Sequence, residues 1–99
     1  MNKEKVYGYL CAYCIGKKRV TSSQTLETVL DMSGNELRKQ INTLRREAVP
    51  IASSSAGYFY AENAAELYAT IRSLEKMRRG LDAAIAGLEQ ALEKFGDAS

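Results

Sequence analysis

The sequence predicts a mainly α protein with a small β-hairpin and a long C-terminal coiled-coil helix. Three observations lead to this class. Apolar residues recur at helical spacing in the first half of the chain, two short runs rich in β-branched and aromatic residues follow, and Leu and Ile then recur every three or four residues up to Phe95. A length of 99 residues allows one small domain with one long appendage.

Three helices are expected before the hairpin. The first runs from Lys3 to about Ile15, and Gly16 supplies its stop. Its apolar face comprises Val6, Leu10, Tyr13 and Cys14. The basic stretch Lys17 to Arg19 then leads toward the second helix.

Two capping boxes predict where the second and third helices begin. In each, a hydroxyl residue is followed three residues later by Gln or Glu, first from Thr21 to Gln24 and then from Ser33 to Glu36. The apolar face of the second helix comprises Leu26, Val29 and Leu30. The third helix runs from about Gly34 to Glu47, and its core face comprises Leu37, Ile41, Leu44 and Ala48. Because so short a turn joins these two helices, they must cross at a steep angle.

The pattern then changes to that of a β-hairpin. Its strands are expected over 49–52 and 58–60, with a polar tip from Ser53 to Gly57. Pro50 cannot donate a ladder hydrogen bond, which limits it to an edge or a strand start.

Three helices, with a tight turn between the last two, followed by a hairpin, is the order of a winged helix-turn-helix. The finer pattern agrees: a Leu44-Arg45 tail on the third helix, a Pro50-Ile51 strand and Gly57-Tyr58 after the tip. Over about residues 5–61 the chain resembles the N-terminal winged-helix domains of biotin-repressor-type and related bacterial and phage regulators. This resemblance implies a DNA-binding domain, over 1–62. Ala48 departs from it, since such proteins often place Gly there to end the helix.

The third helix carries the residues expected to read DNA. With its Leu and Ile residues inside, the outward face presents amide and cationic groups, which suit purine edges and phosphates. The candidates for base contact are Asn35, Arg38, Lys39 and Asn42, and those for phosphate contact are Arg45 and Arg46. Hydroxyls at the helix starts and at the hairpin tip add Ser22, Ser23, Ser33, Ser54 and Ser55. Residues 1–60 hold nine Lys and Arg against five Asp and Glu, which favours an acidic partner for this half.

The C-terminal helix, within 63–99, is predicted to join two copies. Asn63 can cap it, and a heptad pattern follows that comprises Leu67, Ile71, Leu74, Leu81, Ile85, Leu88, Leu92 and Phe95. Such a helix extends about 48 Å, whereas a domain of this size is only about 27 Å across. The exposed stripe therefore needs a partner, and a second copy is the simplest. Parallel or antiparallel pairing, and a dimer or a four-helix arrangement, stay open.

Other function classes find little support in the sequence. The chain has no His, no paired carboxylates at a plausible cleft and no nucleotide-binding loop, so we expect neither an enzyme nor a cofactor. Cys11 and Cys14 alone are too few for a zinc site and are interpreted as reduced, semi-buried thiols. Neither a signal peptide nor a membrane span is recognisable, which predicts a cytoplasmic protein.

The sequence therefore predicts a sequence-specific double-stranded DNA-binding protein that acts as a homodimer, either a transcriptional regulator or a phage-type protein that marks a DNA site. The alternative is an interaction adaptor, in which the winged helix docks a protein and the coiled coil assembles a complex. The fold alone does not decide between the two, because winged helices serve both purposes.

Overall fold

A computed structural model gives the structure of the chain and describes residues 2–96. The order of elements is α1 (Asn2–Tyr13), a 3₁₀ turn (Lys17–Arg19), α2 (Ser23–Leu30), α3 (Gly34–Arg46), β1 (Ile51–Ser54), β2 (Gly57–Tyr60), α4 (Ala64–Ala91) and a final 3₁₀ turn (Leu92–Phe95). The expectation of a mainly helical chain with a small hairpin and a long C-terminal helix is confirmed.

An apolar core lies between α1, α2, α3 and the hairpin. Its fully or almost fully buried members are Val6, Leu10, Cys14, Leu26, Leu30, Leu37, Ile41, Leu44 and Ile51. Three residues predicted to face this core lie outside it. Tyr13 is 64% exposed and Val29 is 51% exposed, because the core covers only a narrow stripe of each short helix. Ala48 follows the last turn of α3 and is also exposed.

Three side chains cap the starts of α2, α3 and α4. Ser33 Oγ accepts a hydrogen bond from the Glu36 amide at 3.1 Å, and Asn63 Oδ1 accepts one from the Glu66 amide at 3.0 Å. The predicted start of α2 was wrong by one residue, because Ser22 and not Thr21 is its cap, with Oγ accepting from the Thr25 amide at 3.1 Å.

Thr21 cannot cap α2 because its backbone is paired with the hairpin. Its amide donates to the Tyr58 carbonyl and its carbonyl accepts from the Tyr58 amide, both at 2.9 Å. Gly57 allows this approach: a Cβ there would lie 2.0 Å from the Thr21 carbonyl oxygen, and the residue has φ +140°. The segment before α2 therefore lies beside β2 in the manner of a third strand.

The hairpin follows α3 after a sharp turn at Ala48, which adopts φ +68°. This is the left-handed conformation in which a helix commonly ends on Gly. β1 and β2 pair antiparallel, with Ile51 opposite Tyr60 and Ser54 opposite Gly57, so the tip is shorter than predicted. Pro50 precedes β1, as its missing amide proton requires, and its carbonyl accepts from the Ala61 amide at 2.9 Å.

The first turns of α4 pack on β1, and the rest of the helix extends away from the core. Thr70, which is buried, joins the two elements: its Oγ1 accepts from the Ser53 amide at 3.0 Å and donates to the Ser53 carbonyl at 3.3 Å. The long dimension of the molecule, 56 Å against 30 and 23 Å, follows from this projecting helix.

Candidate nucleic-acid interface

α3 has one buried face and one exposed polar face. Leu37, Ile41 and Leu44 are almost completely buried and fix the rotation of the helix about its axis. The opposite face and the flank that carries Arg38 expose all four residues predicted for base contact, together with one predicted for phosphate contact. These are Asn35, Arg38, Lys39, Asn42 and Arg46. The helix therefore presents amide and cationic groups to solvent along one side.

Hydrogen bonds on the helix orient two of these cations. The Arg38 guanidinium donates to Asn35 Oδ1, and the Arg46 guanidinium donates to Thr43 Oγ1 at 3.3 Å. Each bond joins residues three positions apart, so the long side chains lie along the helix surface. Both cations are exposed and keep donors that face solvent.

An acidic side chain near the start of α3 was not predicted as part of this region. Glu27 Oε2 accepts from Ser23 Oγ at 3.0 Å, and it lies 3.2 Å from the position that a Cβ on Gly34 would occupy. A nitrogen of the Arg38 guanidinium is 3.5 Å from that same position. Glu27 therefore bonds to the first turn of α2 and lies beside the first turn of α3, and no sequence motif marks it.

The predicted serines occupy the starts of α2 and α3. Ser22 and Ser33 use their hydroxyl oxygens as helix caps, and Ser23 donates to Glu27. Ser22 also donates to Thr25 Oγ1 at 2.9 Å. Capping accounts for Ser22 and Ser33, although both side chains remain exposed beside the helix starts.

Arg45 lies apart from the exposed cations and is bound to the hairpin. Its Nε donates to the Ile51 carbonyl at 2.9 Å, its Nη2 donates to Ser53 Oγ at 3.2 Å, and its guanidinium carbon lies 5.9 Å from the centre of the Tyr58 ring. Burial lowers the pKa of the Arg45 guanidinium from its ordinary value, and the proximity of Tyr58 acts in the opposite direction. These contacts give Arg45 a role within the fold that its place in the sequence does not predict.

The hairpin tip exposes Ser54 and Ser55, the two residues predicted to reach DNA there. Ser54 Oγ accepts from the Ala56 amide at 3.1 Å, which closes the two-residue turn. The tip carries no charged side chain. Any contact from it to an anion would therefore use hydroxyl and backbone N–H groups.

A carboxylate on the other side of the domain holds the start of α4. Glu66 accepts from the backbone amides of Glu62 at 2.7 Å and Lys17 at 3.0 Å. These two bonds lower the pKa of Glu66 below its ordinary value. Glu36 behaves similarly on α3, where hydrogen bonds from Asn2 and then Gln40 lower its pKa.

Exposed apolar side chains continue along the outer part of α4 and the 3₁₀ turn that follows it. All the predicted dimerisation residues except Leu67 are more than a third exposed, from Leu74 at 38% to Phe95 at 77%. Leu67 is half-buried. At the inner end of this stripe an open groove of about 310 Å³ lies between α4 and the segment that leads into β1. Its lining includes Val49, Pro50, Leu67, Ile71 and Leu74.

Residues 2–96 offer little to other kinds of site. In that range, no three Cys, Asp or Glu side chains converge to hold a metal ion. Cys11 and Cys14 are both free, and Cys14 is buried with its Sγ 3.1 Å from Thr21 Oγ1. None of the helices in this part of the chain has the length and apolarity needed to cross a bilayer.

Comparison with known proteins does not assign the chain to a family. No protein-family model, curated protein or solved structure matches the chain. The information about function therefore lies in the residues that the fold brings together.

Proposed function

We propose that this chain is a winged helix-turn-helix protein that binds double-stranded DNA at specific sites as a homodimer. In this proposal α3 is the recognition helix, the β1–β2 hairpin is the wing, and α4 joins two copies. The observation that carries the proposal is the exposed surface of α3. Asn35, Lys39 and Asn42 stand on the side opposite the core, Arg38 stands on the flank beside them, and no element within residues 2–96 covers them.

The order and pairing of the elements support a winged helix. α1, α2 and α3 precede the hairpin, and Thr21, between α1 and α2, pairs with Tyr58 of β2. A three-stranded wing sheet of this kind would hold the hairpin beside the start of α2. Arg45 adds a second connection, from the end of α3 to β1.

The chemistry of the exposed face matches the edges of bases in the major groove. Arg and Lys pair with guanine, and Asn pairs with adenine through its two polar atoms. Recognition helices contact bases mainly through their N-terminal half, which here carries Asn35, Arg38 and Lys39. Arg46, in the last turn, is a candidate for phosphate contact.

Binding to duplexes selected from a random pool tests this proposal. Fluorescence anisotropy should show an affinity that falls steeply as salt rises, because bound cations displace counterions from the phosphates. The double variant Arg38→Ala and Lys39→Ala should raise the Kd at least about tenfold, since one base contact contributes about 1–3 kcal/mol. Lys5→Ala with Lys18→Ala is the control, because it removes the same charge from exposed positions outside α3.

Two outcomes would count against the proposal. Equal affinity of the Arg38 and Lys39 double variant and the wild type would remove α3 from the interface. A folded wild-type dimer without salt-dependent affinity for any selected duplex would favour the adaptor function, in which the same surface docks a protein.

A further inference from the structure

The apolar stripe of α4 and the groove beside it form one continuous surface. Leu67, Ile71 and Leu74 line the groove and also begin the stripe that continues to Phe95. We infer that a second copy of α4 covers both, in antiparallel orientation, with the Leu92–Phe95 turn of each copy seated in the groove of the other. This inference rests on the dimer of the proposed function and specifies its geometry.

An antiparallel pair centred on residue 83 aligns the stripe from Ile71 to Phe95. In this register Ile71 lies opposite Phe95 of the partner subunit, and Leu74 lies opposite Leu92 of the partner subunit. Leu81 lies opposite Ile85 of the partner subunit. The a and d positions of one helix thus meet d and a positions of the other, as knobs-into-holes packing requires.

The charges along α4 favour this orientation. Residues 72–79 hold four cations and one carboxylate, whereas residues 82–94 hold three carboxylates and one cation. Antiparallel pairing places the basic half of each helix beside the acidic half of its partner, whereas parallel pairing places like beside like. The first arrangement lowers the electrostatic energy and the second raises it.

Arg78 gives the sharpest distinction between the two orientations, because it occupies an a position within the stripe. In a parallel pair the two Arg78 side chains would meet at the same level of the seam and repel each other. In the antiparallel register Arg78 lies opposite Leu88 of the partner subunit and next to Glu89 of the partner subunit. Its apolar stem can cover the leucine while its charge reaches the carboxylate.

The groove suits the apolar side chains of the Leu92–Phe95 turn. Its walls at Val49 and Pro50 are apolar, and the Phe95 ring that would enter is 77% exposed in the single chain. Ala84 and Ala91 lie on the same edge of α4 as Thr70, which faces the hairpin. In the antiparallel pair Ala91 lies level with residue 75 of the other copy, so this small side chain faces the other head domain and allows the helix end to approach closely.

Disulfide trapping tests the orientation. Leu74→Cys and Leu92→Cys are made separately in a Cys11→Ser background, mixed and equilibrated in a glutathione buffer. Because a disulfide forms only when the two Cα atoms lie within about 7 Å, the mixed species should exceed either self-linked species by about tenfold. Dominant self-linking of each variant is the parallel result and would overturn the inference.

A second measurement leaves the seam intact. A nitroxide label on Lys94→Cys, in the same background, should give a label pair separated by about 33 Å along the helix axis, since residue 94 lies level with residue 72 of the other copy. A parallel pair would place both labels at one level, and that shorter distance would overturn the inference.

The outcomes separate this inference from the proposed function. A monomer in light scattering would overturn the dimer and this geometry together. Antiparallel trapping without DNA binding would support the pairing while removing the DNA-binding function. Parallel trapping with specific DNA binding would remove only the pairing.

Discussion

Substitution of the two adjacent arginines at the end of α3 should affect different properties: Arg45 should matter for stability and Arg46 for DNA affinity. Arg45→Ala removes a charged hydrogen bond to the carbonyl of the buried Ile51, a second bond to Ser53 and a stacking contact with Tyr58. The charged bond contributes about 1.5–3 kcal/mol and the stacking about 0.5–1 kcal/mol. We expect Arg45→Ala to lower the free energy of unfolding by about 2–4 kcal/mol.

Arg46→Ala is the matched control, because Arg46 is exposed and its guanidinium donates to Thr43 on the same helix rather than to the hairpin. Its effect on the free energy of unfolding should stay within about 0.5 kcal/mol. Under the proposed function, Arg46→Ala should instead weaken the affinity for DNA. Because each copy would then neutralise one phosphate fewer, the slope of log K against log salt should become shallower by about 1.8 per dimer.

Urea denaturation followed by circular dichroism measures the first quantity, and anisotropy titrations at several salt concentrations measure the second. Arg45→Lys adds a useful comparison, since it keeps the charge but removes the planar fork that reaches two acceptors. It should be destabilised nearly as much as Arg45→Ala. Equal unfolding midpoints for Arg45→Ala and Arg46→Ala would refute the reasoning.

Four further substitutions probe other parts of the structure. Gly57→Ala should lower the free energy of unfolding by about 3 kcal/mol or more, because the new Cβ would meet the Thr21 backbone at a strained φ. Gly8→Ala, in open space on α1, should instead raise the free energy of unfolding by about 1 kcal/mol. Equal effects of the two substitutions in urea denaturation would contradict this reasoning. The lowered pKa of Glu66 stabilises the fold above the unfolded pKa of about 4.3, and this contribution is lost as the pH falls through the folded value. The Glu66→Gln variant should therefore be less stable than the wild type at neutral pH and should lose less stability than the wild type as the pH falls. Parallel profiles of stability against pH for the two proteins would show that the two amide bonds do not stabilise the fold. Phe95→Ala should raise the Kd of the dimer at least about tenfold in sedimentation equilibrium, and an unchanged Kd would argue against its burial in the partner's groove.

Local signals predicted the elements well. The caps at Ser33 and Asn63 depend on residues three positions apart, and such short-range patterns can be recognised in a single sequence. The inward face of α3 also follows from spacing alone, and Leu37, Ile41 and Leu44 are buried as expected. The exposed face that carries the candidate site is the complement of that stripe, so it was predictable in the same way.

The sequence analysis missed features that depend on contacts between segments far apart in the chain. Thr21 looked like a helix cap, but its backbone pairs with Tyr58, and the cap passes to Ser22. Arg45 looked like a surface cation, but the hairpin folds back onto it. No periodicity within either segment records these pairings, since both partners must first be placed in space.

Ala48 shows a smaller discrepancy of the same kind. The chain must turn sharply to enter the hairpin, and Ala48 makes this turn at positive φ where Gly would be less strained. The helical spacing continued through Ala48 and predicted a core position. The spacing could not record where the helix ends, because the end depends on the turn that follows.

Because α4 is attached to its own head domain, the length of this helix would set the distance between the two head domains of the proposed dimer. Thr70 joins each helix to β1 through Ser53, and in the proposed antiparallel dimer the two Thr70 positions would lie about 39 Å apart along the axis. Inserting one heptad near residue 83 would move the heads apart by about 10 Å. Under the proposed function, the two DNA sites that the heads contact would then also lie about 10 Å farther apart, which is about three base pairs.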